Sequence, residues 1–168
     1  MKTISLETVD EIWDRLNNAS EKEVLQIAKR MQEHQPALMV YLLATEDSME
    51  TEHEPGWLLF FGGVIFEVMS SQHPRLRMVQ PDDVEAAEAA NVAFLEQMEE
   101  GREMDWMEGT RKLFTTYNQT PLLQTILEAL MEGNEETPEM APDSVGVGLI
   151  ALKTVIDCLD APAAEIKT

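Results

Sequence analysis

Apolar residues recur along most of this chain at the three- to four-residue spacing of one face of an α-helix. In the first segment that face carries Leu6, Val9, Ile12, Trp13 and Leu16. Ser5 stands just ahead of them, where a helix N-cap is expected. The spacing therefore predicts a first helix over about 6–17.

Start and stop signals divide the next stretch of sequence. Ser20 followed by Glu23 is the pattern of a capping box, so a second helix begins there and ends near Gln35. Pro36 disfavours helical geometry in the residue before it, but it suits the first turn of a third helix. Residues 46–55 are acidic and lack apolar periodicity, which predicts a solvated loop.

The apolar run that starts at Trp57 contains Gly62 and Gly63 and allows two interpretations. A Gly-Gly pair between apolar arms is a hairpin signal. Neither arm alternates, however, and an isolated hairpin would be marginal in water, so a buried helix is favoured. Glycine is a poor helix former, and its presence there predicts close approach of another helix, at Gly63 in particular.

The second half of the chain repeats this alternation of helices and polar breaks. A linker over about 70–81 precedes a helix that Asp82 or Asp83 caps and that runs through Glu100. The later segments are a helix over about 103–117, a helix opening at Thr120 and Pro121, an acidic loop over 134–143, a helix over about 144–160, and a frayed tail at 161–168.

These elements predict an all-α fold of seven or eight helices without a sheet, forming one domain over 1–160. The helices pack either as a bundle or as a short, solenoid-like stack of two halves. Aligning the sequence with itself matches Pro36 with Pro121 and Gly63 with Gly148. That match indicates either duplicated halves, 1–73 and 82–160 joined by a linker at 74–81, or helical hairpins of similar composition.

Charge and composition narrow the classes of partner. The chain has 32 acidic and 12 basic residues, a formal charge of −20, which argues against direct contact with nucleic acid or anionic lipid. No apolar run approaches the roughly 20 residues that cross a bilayer, and the N-terminal residues do not resemble a signal peptide. The single cysteine, Cys158, excludes an internal disulfide and is expected to be a core thiol. We therefore expect a cytoplasmic protein.

Several motifs resemble chemical sites only in part. Residues 146–151 match a dinucleotide-binding string, but no strand precedes them. Acid pairs three residues apart are typical of magnesium sites only when two helices bring them together. Those pairs are Glu7 with Asp10, Glu11 with Asp14, Glu85 with Glu88, and Glu96 with Glu99. Glu50 with His53 is a single copy of a motif that di-iron bundles need twice. We predict no catalytic, metal-binding or cofactor-binding residue.

The one basic stretch is the linker, where His73, Arg75 and Arg77 have no acidic neighbour between Glu67 and Asp82. These three residues are the predicted partner-binding residues, since arginine binds carboxylates and phosphates well. The alternative is that they pair with the acidic helices of the same chain.

The sequence thus favours a non-catalytic protein-interaction or regulatory module of a bacterial cytoplasmic type. Its partner is expected to be a protein, either basic or a second copy of this chain. Two alternatives remain: an acidic decoy or immunity-type protein that occupies a basic nucleic-acid-binding site, and a magnesium-dependent all-α nucleotide phosphohydrolase.

Overall fold

The computed structural model describes residues 1–49, 56–100, 111, 113–131 and 142–161. Those residues form α-helices joined by short segments, with no β-strand among them, so the all-α prediction is confirmed. Residues 113–116 are also helical. The helices with described ends are α1 (Leu6–Asn17), α2 (Glu21–His34), α3 (Pro36–Ser48), α4 (Trp57–Gln72), α5 (Pro81–Glu100), α6 (Thr120–Met131) and α7 (Pro142–Asp160).

The predicted N-caps hold the first two helices. The Ser5 side chain accepts a hydrogen bond from the Thr8 amide, and Ser20 accepts one from the Glu23 amide. The predicted capping box is only half formed, because the Glu23 carboxylate lies 3.5 Å from a guanidinium nitrogen of Arg15. An ion pair between α1 and α2 thus replaces the return hydrogen bond.

The solvated loop predicted from residue 46 was wrong at its start, because α3 continues to Ser48. Glu46 explains the difference. Its carboxylate accepts hydrogen bonds from the amides of Gly56 and Leu58, the latter at 3.2 Å. These amides open α4, whose first N–H groups have no partner within the helix. Glu46 therefore caps the next helix from the end of α3.

The Gly-Gly segment is helical, so the favoured interpretation is confirmed and the hairpin is wrong. The close approach, however, is at Gly62 rather than at Gly63. A Cβ on Gly62 would overlap Cδ1 of Leu42, whereas a Cβ on Gly63 would lie 3.4 Å from Cγ2 of Ile27, an ordinary contact. Gly148 is also confined, because its Cβ would lie 3.0 Å from the Trp57 ring.

The linker is shorter than predicted, since α4 runs to Gln72 and α5 begins at Pro81. Its last residues are anchored by Gln35, which is fully buried. The Gln35 amide donates to the carbonyl oxygen of Arg77 at 2.7 Å and accepts from the Val79 amide at 3.0 Å. One side-chain amide thus satisfies two backbone groups of the segment before α5.

The same arrangement occurs ahead of α1. Gln119, also fully buried, accepts a hydrogen bond from the Ile4 amide at 3.1 Å and donates to the Lys2 carbonyl at 3.2 Å. Gln119 precedes α6 as Gln35 precedes α3, so the two glutamines hold two segments in the same way. This pairing matches Pro36, the first residue of α3, with Thr120, the first residue of α6. The sequence alignment instead matched Pro36 with Pro121, which is one residue later.

Helices α4 and α7 pack against each other at the centre. Around them α1 lies against α4 and α6, while α5 lies against α7 and α3. Helix α3 also packs on α4, and α6 on α7. These contacts are related by an exchange of helices. When α1 is exchanged with α5, α3 with α6 and α4 with α7, each of these contacts becomes one of the same set. The core lies along the α4–α7 contact and is mainly aliphatic.

Some predictions lie outside the described residues. These are the acidic loops at 50–55 and 134–141, most of the helix predicted over 103–117, and the tail at 162–168.

Candidate functional site

A groove of about 450 Å³ lies between α3 and the first turns of α5, above the extended segment that joins α4 to α5. Its proline and aliphatic lining comes from all three elements. These residues are Pro36, Ala37, Val40, Met78, Pro81 and Val84. A concave, largely apolar surface is the usual form of a site that binds another molecule.

The groove exposes apolar side chains because the first part of α3, residues 36–44, carries apolar residues on more than its buried face. Residues 36–44 contain no charge. One face of α3 buries Leu38 and Leu42 completely, and the opposite side leaves Val40 67% and Leu43 44% exposed. A surface helix with apolar residues all round is unusual in a free domain, because it leaves apolar area in water.

The segment that joins α4 to α5 adds another exposed apolar residue. Val79 in this segment is buried, and its amide donates a hydrogen bond to the Gln35 side chain. Its neighbour Met78 is 52% exposed. A flexible thioether at such a position adapts readily to a partner's shape.

The rim of the groove is acidic. Glu85 and Glu88 line it from α5, one helical turn apart and on the same face. Among the described residues that line the groove there is no lysine, arginine or histidine. The groove therefore combines an apolar floor with a purely negative edge.

Tyr41 connects this rim to the interior. It lines the groove, and its hydroxyl donates to Oε1 of Glu88 at 2.9 Å. Burial, and then the bond to Glu88, raise the pKa of Tyr41 above its usual range. Tyr41 is half-buried, so it extends from the groove towards the interior.

Behind Tyr41 lies a buried polar cluster. The Asn91 amide nitrogen donates to Oγ1 of Thr154 at 3.1 Å and to Oδ2 of Asp157 at 2.9 Å. Nζ of Lys153 donates to Oδ1 of Asn91 at 2.7 Å and to Asp157 at 2.8 Å. Tyr117 completes the cluster by donating to Oδ1 of Asp157 at 2.6 Å. Burial, and then the Asp157 charge, raise the pKa of Tyr117.

The predicted partner-binding residues lie beside the groove and do not line it. His73 ends α4, with its amide bonded to the Met69 carbonyl at 3.1 Å. Arg75 is exposed. The structure does not bring these two residues into the lining of the groove.

Arg77 pairs within the chain, as the alternative interpretation proposed. Its guanidinium donates to Oδ2 of Asp83 at 2.6 Å, and this hydrogen bond lowers the pKa of Asp83. The same carboxylate oxygen accepts from the Gln80 amide at 2.9 Å. Asp83 thus caps α5, as predicted, by reaching back to the residue before Pro81.

The remaining motifs take structural positions. The predicted acid pairs lie on α1 and α5. These two helices do not pack mainly on each other, since α1 packs on α4 and α6 while α5 packs on α7 and α3. Within the described part of the chain no group of three or more His, Cys, Asp or Glu side chains is arranged to hold a metal ion. Cys158 is buried as predicted, and its thiol points at the Asp83 carbonyl. Residues 146–151 lie inside α7. The Glu50–His53 motif is outside the described residues.

Sequence reasoning missed the groove because its two walls are far apart in the chain. One signal was present, the uncharged run at 36–44, which is apolar on more sides than one buried face requires. The hydrogen bond from Tyr41 to Glu88 joins α3 to α5 and has no local sequence signature.

No protein-family model, curated protein or solved structure matches this chain. None of the described helices is long and apolar enough to cross a membrane.

Proposed function

We propose that this chain is a non-catalytic protein-interaction module that binds a basic, amphipathic helical segment of a partner protein in the groove between α3 and α5. The observation that carries the proposal is the pairing of an apolar floor with an acidic rim that, within the described parts of the chain, has no basic lining residue. An amphipathic helix fits such a groove with its apolar face inwards and its cations against the rim.

Electrostatic attraction favours a basic partner both at the rim of the groove and at longer distance. At the rim, Glu85 and Glu88 are available to cationic side chains. At longer range the formal charge of −20 attracts a basic segment and repels an acidic one, including a second copy of this chain.

The corresponding surface of the other half supports the proposal by contrast. The two halves can be matched through Gln119 and Gln35, using the segment that each glutamine holds and the helix that follows it. This match pairs Thr3 with Met78, Gln124 with Val40, and Thr125 with Tyr41. The helix packing therefore does not require apolar residues at these positions. Their presence on one half only is typical of a binding surface.

The expected affinity is modest. Fully burying one valine or methionine side chain contributes about 1.5–3 kcal/mol. Association itself costs several kcal/mol in lost motion. A few apolar anchors and two acidic side chains, one exposed and one half-buried, therefore predict a dissociation constant on the order of 10–100 μM at low salt.

The test uses two designed helical peptides with leucines on one face, flanked either by lysines or by glutamates, titrated by fluorescence anisotropy. The lysine peptide should bind, and the glutamate peptide should bind at least ten times more weakly. Val40→Glu should weaken binding of the lysine peptide more than ten-fold, because it places a charge on the apolar floor.

Leu25→Glu is the matched control. Leu25 is 63% exposed on α2, close to the 67% of Val40, but it does not line the groove. It should leave peptide affinity within about two-fold, because the small change in overall charge acts only through long-range electrostatics. Equal losses in both variants would contradict the groove. Unchanged or tighter binding in both variants would favour the acidic-decoy alternative, because each variant adds a negative charge to the surface that attracts the lysine peptide.

A further inference from the structure

We infer that Tyr41 is a positioning residue that holds Glu88 as an oriented hydrogen-bond acceptor, so that the groove selects a partner carrying an ammonium or guanidinium group beside its apolar face. This inference rests on the proposed function and names what gives the same groove its specificity.

The hydrogen bond from Tyr41 to Glu88 has a direction that chemistry fixes. The Glu88 carboxylate offers only acceptor oxygens, so the Tyr41 hydroxyl uses its own proton to donate to Oε1 at 2.9 Å. Tyr41 is half-buried on α3, so its hydroxyl is a positioned donor at the wall of the groove.

This hydrogen bond has two consequences for Glu88. The hydrogen bond from Tyr41 restricts the rotamers of a side chain that would otherwise move freely at the surface. A carboxylate also has about four acceptor positions, so the bond to Tyr41 leaves positions for a cationic donor. Glu88 is thereby pre-organised for a charged ligand before that ligand arrives.

Glu85 provides the internal comparison. It lines the same groove one turn earlier on α5 and is exposed. It is not among the groups hydrogen-bonded to Tyr41. We therefore expect both glutamates to attract a cation, but only the contribution of Glu88 to depend on Tyr41.

The experiment compares the lysine peptide with a peptide in which every lysine is replaced by glutamine. The quantity measured is the ratio of their dissociation constants. In the unsubstituted protein the lysine peptide should bind at least ten-fold more tightly at low salt. Tyr41→Phe should reduce this ratio about three- to five-fold, because it removes the hydrogen bond that holds Glu88. Glu88→Asp, which keeps the charge but shortens the side chain that reaches Tyr41, should reduce the ratio in the same direction and by more than Glu85→Asp does.

A double-mutant cycle separates positioning from packing. Tyr41→Phe should have no further effect on the ratio in a Glu88→Gln background, but it should keep its full effect in a Glu85→Gln background. If Tyr41→Phe weakens both peptides equally, or changes the ratio equally in both backgrounds, the inference is overturned. Should Tyr41→Phe fail to fold, Glu88→Asp compared with Glu85→Asp provides the same test.

Failure of the inference differs from failure of the proposed function. A lysine peptide that binds with the Val40 dependence stated above, but with a ratio that neither Tyr41→Phe nor Glu88→Asp changes, overturns the inference alone. A lysine peptide that does not bind the unsubstituted protein overturns both.

Discussion

At the scale of single residues, α3 and α4 meet where Gly62 leaves space for Leu42. A Cβ there would overlap Cδ1 of Leu42, and Leu42 has no exposed surface into which it can turn. Gly62→Ala should therefore lower the free energy of unfolding by about 1–3 kcal/mol despite the better helix propensity of alanine.

Gly63→Ala is the matched substitution, one residue along the same helix. Its Cβ would make an ordinary contact of 3.4 Å with Ile27, so it should be neutral or stabilising by up to about 1 kcal/mol. Urea unfolding followed by circular dichroism measures both variants. The reverse order of stabilities would show that the helix approach is not as described.

Cys158 gives a second prediction at this scale. Burial raises the pKa of its thiol to about 12, and the carboxylates of Asp157 and Asp83 act in the same direction. At about pH 8 the folded protein should therefore react only slowly with a thiol reagent such as DTNB, because the thiolate is the reactive form. In concentrated urea the reaction should be complete within seconds to minutes. Rapid stoichiometric modification of the folded protein would contradict this environment.

At the scale of elements, the two buried glutamines support the proposal that the halves 1–73 and 82–160 arose by duplication. Each holds a segment ahead of a helix through one accepted and one donated backbone hydrogen bond. The contact of α3 with α4 also recurs as that of α6 with α7, and the contact of α1 with α4 recurs as that of α5 with α7.

Replacing either glutamine by methionine, which has a similar shape, tests this equivalence. Gln35→Met and Gln119→Met should each lower the free energy of unfolding by about 2–4 kcal/mol, because each leaves a backbone N–H and a carbonyl without their partner. Denaturant unfolding measures both costs. A large cost for one substitution and almost none for the other would mean that the two sites do not carry equivalent roles.

The ends of helices were predictable wherever a local cap or proline residue marks them. Ser5, Ser20 and Pro36 mark the starts of α1, α2 and α3, and each functions there as its residue type predicts. The end of α3 was not predictable. It depends on Glu46 reaching the first amides of α4, a contact across an acidic stretch that resembles a loop.

The candidate site was less predictable than the fold. Periodicity identifies a helix and its buried face, but not the helix that will lie beside it. The groove requires α3 to lie next to α5, and the positioning of Glu88 requires Tyr41, which lies 47 residues before it in the chain. The basic linker residues were conspicuous in sequence, yet Arg77 is used to start α5.

At the scale of the whole molecule, the contact between α4 and α7 joins the two halves through one core. The chain should therefore unfold as a single cooperative unit rather than half by half. Thermal and urea transitions followed by circular dichroism and by tryptophan fluorescence should coincide. Two resolved transitions would show that the halves are independent and would contradict a shared core.

The central claim is that a basic amphipathic segment lies in the groove between α3 and α5. The most direct measurement is a set of intermolecular nuclear Overhauser effects between the leucine methyl groups of the lysine peptide and the protein. The account predicts contacts to the methyl groups of Val40, Met78 and Val84, all of which line the groove, and none to Leu25. Contacts to Leu25, or contacts spread over the acidic surface without Val40 and Met78, would contradict it.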